Sequence, residues 1–96
     1  MIQKNKLGVV VRDLTYEEKS NPNIDRGVFV ENVELDGLAA KVGIRKGDII
    51  TYIGNRKIKN KQEFASAIDS ASPDKAISIG LVRNGVQRFL SLRLTK

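Results

Sequence analysis

The chain of 96 residues contains no histidine, no cysteine and no tryptophan, with one methionine and two prolines. Without imidazole or thiol there can be no Ser/His/Asp triad, no Cys/His pair and no zinc site of the usual ligand types. Autonomous hydrolytic chemistry and a metal centre are therefore not expected, and no cofactor is predicted. Zero cysteine also removes disulfides and leaves the redox compartment open, cytosol and bacterial periplasm being equally compatible. Apolar runs reach only a few residues, against the ~20 needed to span a bilayer, and the first residues are polar, unlike a secretory signal. A soluble piece with no membrane span is predicted. If the natural protein is exported, Met1 is not its native start and the chain is a fragment of something longer.

What is present describes one domain over residues 1–96, with 41% hydrophobic content and a modest core; a chain of this size buries about 60% or somewhat more of its unfolded surface. Lys and Arg number 17 against 11 Asp and Glu, for a formal charge of +6. The basic residues are scattered among acids, and the densest stretch is Arg56, Lys57, Lys59 and Lys61. None of the aromatics, Tyr16, Phe29, Tyr52, Phe64 and Phe89, interleaves with that stretch as a base-stacking platform requires. A nucleic-acid partner is not expected; it is the remote alternative, and a steep loss of binding with salt would mark it.

From Leu7 to Val11 the run LGVVV reads as a strand entered through Gly8 at a special backbone angle. Thr15 to Arg26 is polar and rich in turn formers, with one helical turn at TYEEK; it loosely resembles a cation loop but lacks the calcium-ligand spacing and the terminal glutamate. Gly27 to Val33 alternates Val28 and Val30 against Phe29 and Glu31, a half-buried strand. Asp36 is expected to open a short helix over Gly37 to Val42 that ends at Gly43. Turns follow at Lys46-Gly47-Asp48, where the Asp48 carboxylate is expected to satisfy local backbone N–H groups, and at Gly54-Asn55. Asn60 with Glu63 three positions on predicts an N-cap and a helix from Lys61. Its core stripe is expected to be Phe64, Ala65, Ala67, Ile68 and Ala71, with Pro73 as the stop. Finally Asn84-Gly85 predicts a hairpin between Ala76–Val82 and Val86–Leu94, with Ile77, Ile79 and Leu81 paired to Leu90, Leu92 and Leu94. The fold class is α+β: a small antiparallel barrel or sandwich of five to six strands capped by two helices.

An amphipathic helix beside an edge strand leaves a groove in which an extended peptide can add to the sheet. Val9 to Arg12 is the candidate edge, and the loop Lys6-Leu7-Gly8-Val9 can aim successive backbone N–H groups at one point, an anion nest for a chain-terminal carboxylate, with Lys4 and Lys6 adding favourable charge. The plainer alternative makes Gly8 a simple turn residue and Leu7 and Val9 core.

The ordered set KLGVVVRDLT, GVFVENVELDGLAAKVGIRKGDIITYIGNRKI, NKQEFASAIDSA and ISIGLVRNGVQRFLSLRL resembles a PDZ domain of the bacterial HtrA/DegP type over Lys6 to Leu94, and its opening is similar to the second, C-terminal PDZ domain of such periplasmic serine proteases. By that resemblance KLGV is the carboxylate-binding loop, so the amides of Leu7, Gly8 and Val9, with Lys6 in place of the usual first glycine, receive the peptide terminus. Val10, Val11, Arg12, Lys61, Phe64, Ala65 and Ile68 become the groove, Ile68 facing the pocket for the last side chain. Lys61 stands where many PDZ domains carry a histidine; a charged lysine accepts no hydrogen bond, so an apolar or acidic residue two before the terminus is expected. Burying one Val- or Leu-sized side chain is worth ~1.5–3 kcal/mol, which implies affinity of about micromolar order. A charged residue at 68 is expected to abolish binding and spare the fold. The resemblance further implies a noncatalytic module of a serine endoprotease of envelope quality control, acting in the periplasm. Its partners are C-terminal or unfolded polypeptide segments and the protease domain and other PDZ domains of the same parent. The rival is a mainly oligomer-assembling or regulatory scaffold.

Overall fold

A computed structural model describes residues 7–20, 24, 26–71 and 74–93. The elements run β1 (Val9–Asp13), α1 (Tyr16–Lys19), β2 (Val28–Val33), α2 (Leu38–Val42), β3 (Ile49–Ile53), β4 (Arg56–Lys57), α3 (Lys61–Ser70), β5 (Ala76–Arg83) and β6 (Val86–Arg93). All pairings are antiparallel, in the order β1-β2-β3-β5-β6, with β4 attached to β3. The α+β class and the six strands match the sequence reading. A third helical segment is present because α1 closes its single turn with a full capping box: Thr15 Oγ1 accepts from the Glu18 N–H at 3.1 Å and Glu18 Oε1 accepts from the Thr15 N–H at 2.8 Å.

Alternation along the strands sorts side chains onto two faces. Leu7, Val9, Val28, Val30, Ile50, Ile53, Ile79, Leu81 and Leu92 form the main core with Phe64, Ala67 and Ile68 of α3. Leu14, Ile49 and Val82 form a smaller cluster, with Ile24 and Phe29 packed against it. Burying residues as large as Phe64, Ile50 and Ile79 to 1% exposure or less gives this small domain its stability; each such side chain is worth ~1.5–3 kcal/mol.

Three local expectations are corrected. Helix α2 begins at Leu38 with Gly37 as its N-cap, so Asp36 does not open it; its end at Gly43, φ 98°, is as expected. In α3, Ala65 is exposed while Phe64, Ala67 and Ile68 are buried, because at 100° per residue the 64–67–68–71 stripe leaves position 65 on its flank. The β5–β6 register puts Ile77 opposite Leu92, Ile79 opposite Leu90 and Leu81 opposite Arg88. The two-residue turn of Asn84 (φ 53°) and Gly85 (φ 77°) fixes that register, and Leu94 lies outside the described residues, as do Lys4, Lys6, Asp25 and Pro73.

Candidate functional site

Strand β1 ends the sheet path, so β2 is its one strand neighbour among the described residues, and α3 packs against it on the core side. One bond fixes their relation at the far end. The Lys61 backbone N–H donates to Asp13 Oδ1 at 2.7 Å, so the last residue of β1 caps the first turn of α3 from 48 positions away. Asn60 Oδ1 accepts from the Glu63 N–H at 2.8 Å, as the N-cap spacing predicted. Glu63 reaches back one residue further than a capping box requires and accepts from the Lys59 N–H at 2.8 Å. The start of α3 is thus held by three side-chain oxygens.

At the near end the chain turns through Gly8, which has φ +80°. The Leu7 carbonyl accepts from the Ala39 N–H and the Gly8 carbonyl accepts from the Glu34 N–H, both at 2.9 Å. In a regular strand successive carbonyls point to opposite sides; here the left-handed glycine turns two in a row toward the 34–39 segment. A trans peptide sets each N–H opposite the preceding carbonyl, and no peptide bond in the described chain is cis. The N–H groups of Gly8 and Val9 are consequently both directed away from the 34–39 segment.

Of the other site residues named from sequence, Leu7, Val9, Phe64 and Ile68 are buried to 1% exposure or less and belong to one core cluster. The plainer reading of Leu7 and Val9 as core therefore holds for their side chains, and Phe64 fills the interior. Ile68 shares the core cluster of Leu7 and Val9 but shows no surface of its own, so a charge at 68 would be buried and the fold would not survive it. Lys61 and Ala65 are exposed on α3. Val11 packs against the main core. Val10 and Arg12 alternate to the other face, where the Arg12 guanidinium lies 4.1 Å over the Phe29 ring and grips Glu18 through Nη1–Oε1 at 2.8 Å and Nη2–Oε2 at 2.9 Å. This double hydrogen bond, aided by the Thr15 N–H and opposed by partial burial, holds the Glu18 carboxyl down at about 2 from an ordinary 4.5. Arg12 thus joins the groove through its backbone, and its side chain ties α1 to the outer face.

Sequence reasoning missed the buried pair behind α2. Asp48, 2% exposed, accepts from Arg83 Nε at 2.8 Å, Arg83 Nη2 at 2.6 Å and the Arg45 N–H at 2.9 Å. The same Nη2 donates to the Gly43 carbonyl at 2.7 Å, closing the C-terminal end of α2. The local N–H bond was legible in the turn; the arginine 35 positions away was not. Among the described residues no group of three or more acidic side chains is placed to hold a metal, and no helix is long and apolar enough to cross a membrane.

The sequence matches the PDZ domain family over residues 5–94. This chain belongs to the PDZ domain family. It is 34% identical over 92 residues to a probable periplasmic serine endoprotease, DegP-like, of Pseudomonas putida, covering 96% of this chain and 19% of that protein. A protein of the same description in Halomonas elongata is 36% identical over 91 residues, covering 95% and 19%. The PDZ domain therefore spans about a fifth of the length of these relatives. Among solved structures it is similar to the HtrA-type protease AlgW with decapeptide, at TM-score 0.74 and 31% identity over 88% of this chain and 27% of that one. It shares the fold of the HtrA3 PDZ domain bound to the phage-derived ligand FGRWV, at TM-score 0.77 and 23% identity over 91% and 81%.

Proposed function

We propose that this PDZ domain, acting as one unit over residues 1–96, is the noncatalytic peptide-binding module of an HtrA-type serine endoprotease that works in the periplasm on envelope proteins. It takes a hydrophobic C-terminal or unfolded segment as an added strand along β1. The observation that carries this reading is the outermost position of β1 with α3 fixed beside it, the Asp13–Lys61 bond at 2.7 Å setting the spacing. An extended chain running antiparallel to Val9–Asp13 brings its terminal carboxylate to the Leu7-Gly8-Val9 turn, on the side that the Gly8 and Val9 N–H groups face. Its alternate side chains then meet Val11, Ala65 and Lys61, with Ile68 and Phe64 enclosed in the core beneath. The AlgW relatives carry peptides, a decapeptide in one structure and a tripeptide in another, which supports the same use here. Titration of the domain with a valine-terminated peptide as free acid and as C-terminal amide tests the reading. Carboxylate hydrogen bonds are worth ~1.5–3 kcal/mol, so the amide should bind about ten-fold more weakly or worse; equal affinity refutes the nest.

A second use has its own support. Phe89 of β6, at the opposite end of the sheet, is 64% exposed and lies 6.3 Å from the Tyr52 ring, an apolar surface suited to assembly with other domains of the parent. Sedimentation of the wild type and of Phe89→Ser in the parent protein separates it from peptide capture: assembly that survives the substitution argues against it.

A further inference from the structure

We infer that Gly37 is a positioning residue for the amide turn at Leu7–Val9 and sets how strongly the domain distinguishes a chain-terminal carboxylate from an uncharged end. The inference rests on the peptide-binding reading above. Gly37 has φ −79° and ψ 164°, extended backbone that any residue adopts, so its dihedral angles do not demand glycine. Its place as N-cap of α2 favours Ser, Asn or Asp, and α2 has no side-chain cap bond. Helix chemistry alone would put another residue there. What requires glycine is the approach of the binding turn: a Cβ on Gly37 would stand 3.2 Å from Gly8 Cα, 3.3 Å from Glu34 Cβ and 3.4 Å from the Glu34 carbonyl oxygen. In the other direction, a Cβ on Gly8 would meet Gly37 Cα at 3.0 Å.

The two glycines therefore lie backbone against backbone at the point where Glu34 and Ala39 hold the Gly8 and Leu7 carbonyls at 2.9 Å. A local preference overridden by a tertiary approach marks a position constrained by the site it abuts. A methyl group at 37 would push the Gly8 backbone outward by a few tenths of an ångström. The Gly8 and Val9 N–H groups would turn away from the point where a carboxylate sits, and hydrogen bonds weaken steeply with such misalignment.

The test compares wild type, Gly37→Ala and Gly37→Ser against one valine-terminated peptide as free acid and as amide. Serine adds the same Cβ but supplies an N-cap oxygen, so it should exceed Gly37→Ala in thermal stability, which separates misplacement from weakening of α2. Both variants should bind the free acid about five-fold more weakly and the amide as before, a loss of about half the worth of one charge-assisted hydrogen bond. Without peptide, the Gly8 and Val9 amide resonances should move in both variants while those of the β5–β6 hairpin stay. A wild type that binds acid and amide equally overturns the peptide reading itself. A wild type that discriminates, with variants that discriminate equally well or lose both forms alike, overturns the role of Gly37 alone.

Discussion

Arg83→Ala should destabilise the domain more than Asp48→Ala, although both break the same ion pair. The reason lies in what each substitution leaves behind. The Asp48 side chain is 2% exposed and short; without Arg83 it keeps one partner, the Arg45 N–H at 2.9 Å, and cannot swing outward as a long side chain can. Removing one member of a buried pair costs ~3–5 kcal/mol when the remaining charge is trapped. Arg83 is 20% exposed and long, so in Asp48→Ala it can turn outward and hydrate, and the loss should be nearer ~1–3 kcal/mol. At about 4–8 °C per kcal/mol for a domain of this size, Arg83→Ala should lower Tm by at least about 12 °C. Urea unfolding of both variants at neutral pH measures this. Equal losses at neutral pH, or a larger loss for Asp48→Ala, would refute the reasoning. Because Arg83 also holds the Gly43 carbonyl at the end of α2, its loss should loosen the segment that grips Leu7 and Gly8.

Three other outcomes are expected. Glu18 has a folded pKa below its ordinary value, so its contribution is fully present above about 4.5 and disappears as pH falls toward about 2; urea midpoints of Glu18→Gln should lack the part of the acid decline that wild type shows in that window. Asp13→Ala removes the cap that β1 gives α3 and should cost about 1 kcal/mol in chemical unfolding while weakening peptide binding, because the groove loses its far tether. Ile68→Asp should fail to fold, whereas Ala65→Glu, at an exposed position, should keep wild-type Tm and bind peptides acidic two residues before the terminus less well than apolar ones, as circular dichroism and titration would show.

The elements governed by neighbours in sequence were readable in it. Asn84-Gly85 announced its hairpin, Asn60 and Glu63 announced α3, and TYEEK gave α1 once Thr15 and Glu18 closed on each other. The register of β5 against β6 was misplaced by two residues: the turn sets Arg83 opposite Val86, which brings Leu81 opposite Arg88 and not Leu90. Long-range bonds left no local trace. Nothing around Asp13 indicates that it caps a helix 48 residues on, and Asp48 looks like any turn aspartate until Arg83 arrives across the sheet. The glycine angle at Gly8 was legible from LGVVV, but its contact with Gly37 needed the fold. Ile68 shows the limit of periodicity: spacing placed it on the inward face of α3 but could not say that the core would enclose it wholly.

The most direct test of strand addition is a set of intermolecular nuclear Overhauser effects between an isotope-labelled, valine-terminated peptide and the unlabelled domain. Antiparallel pairing predicts close α-proton contacts between alternate peptide residues and Val9–Arg12, with the terminal residue nearest Gly8. Contacts to β6, or a peptide lying parallel to β1, would contradict it.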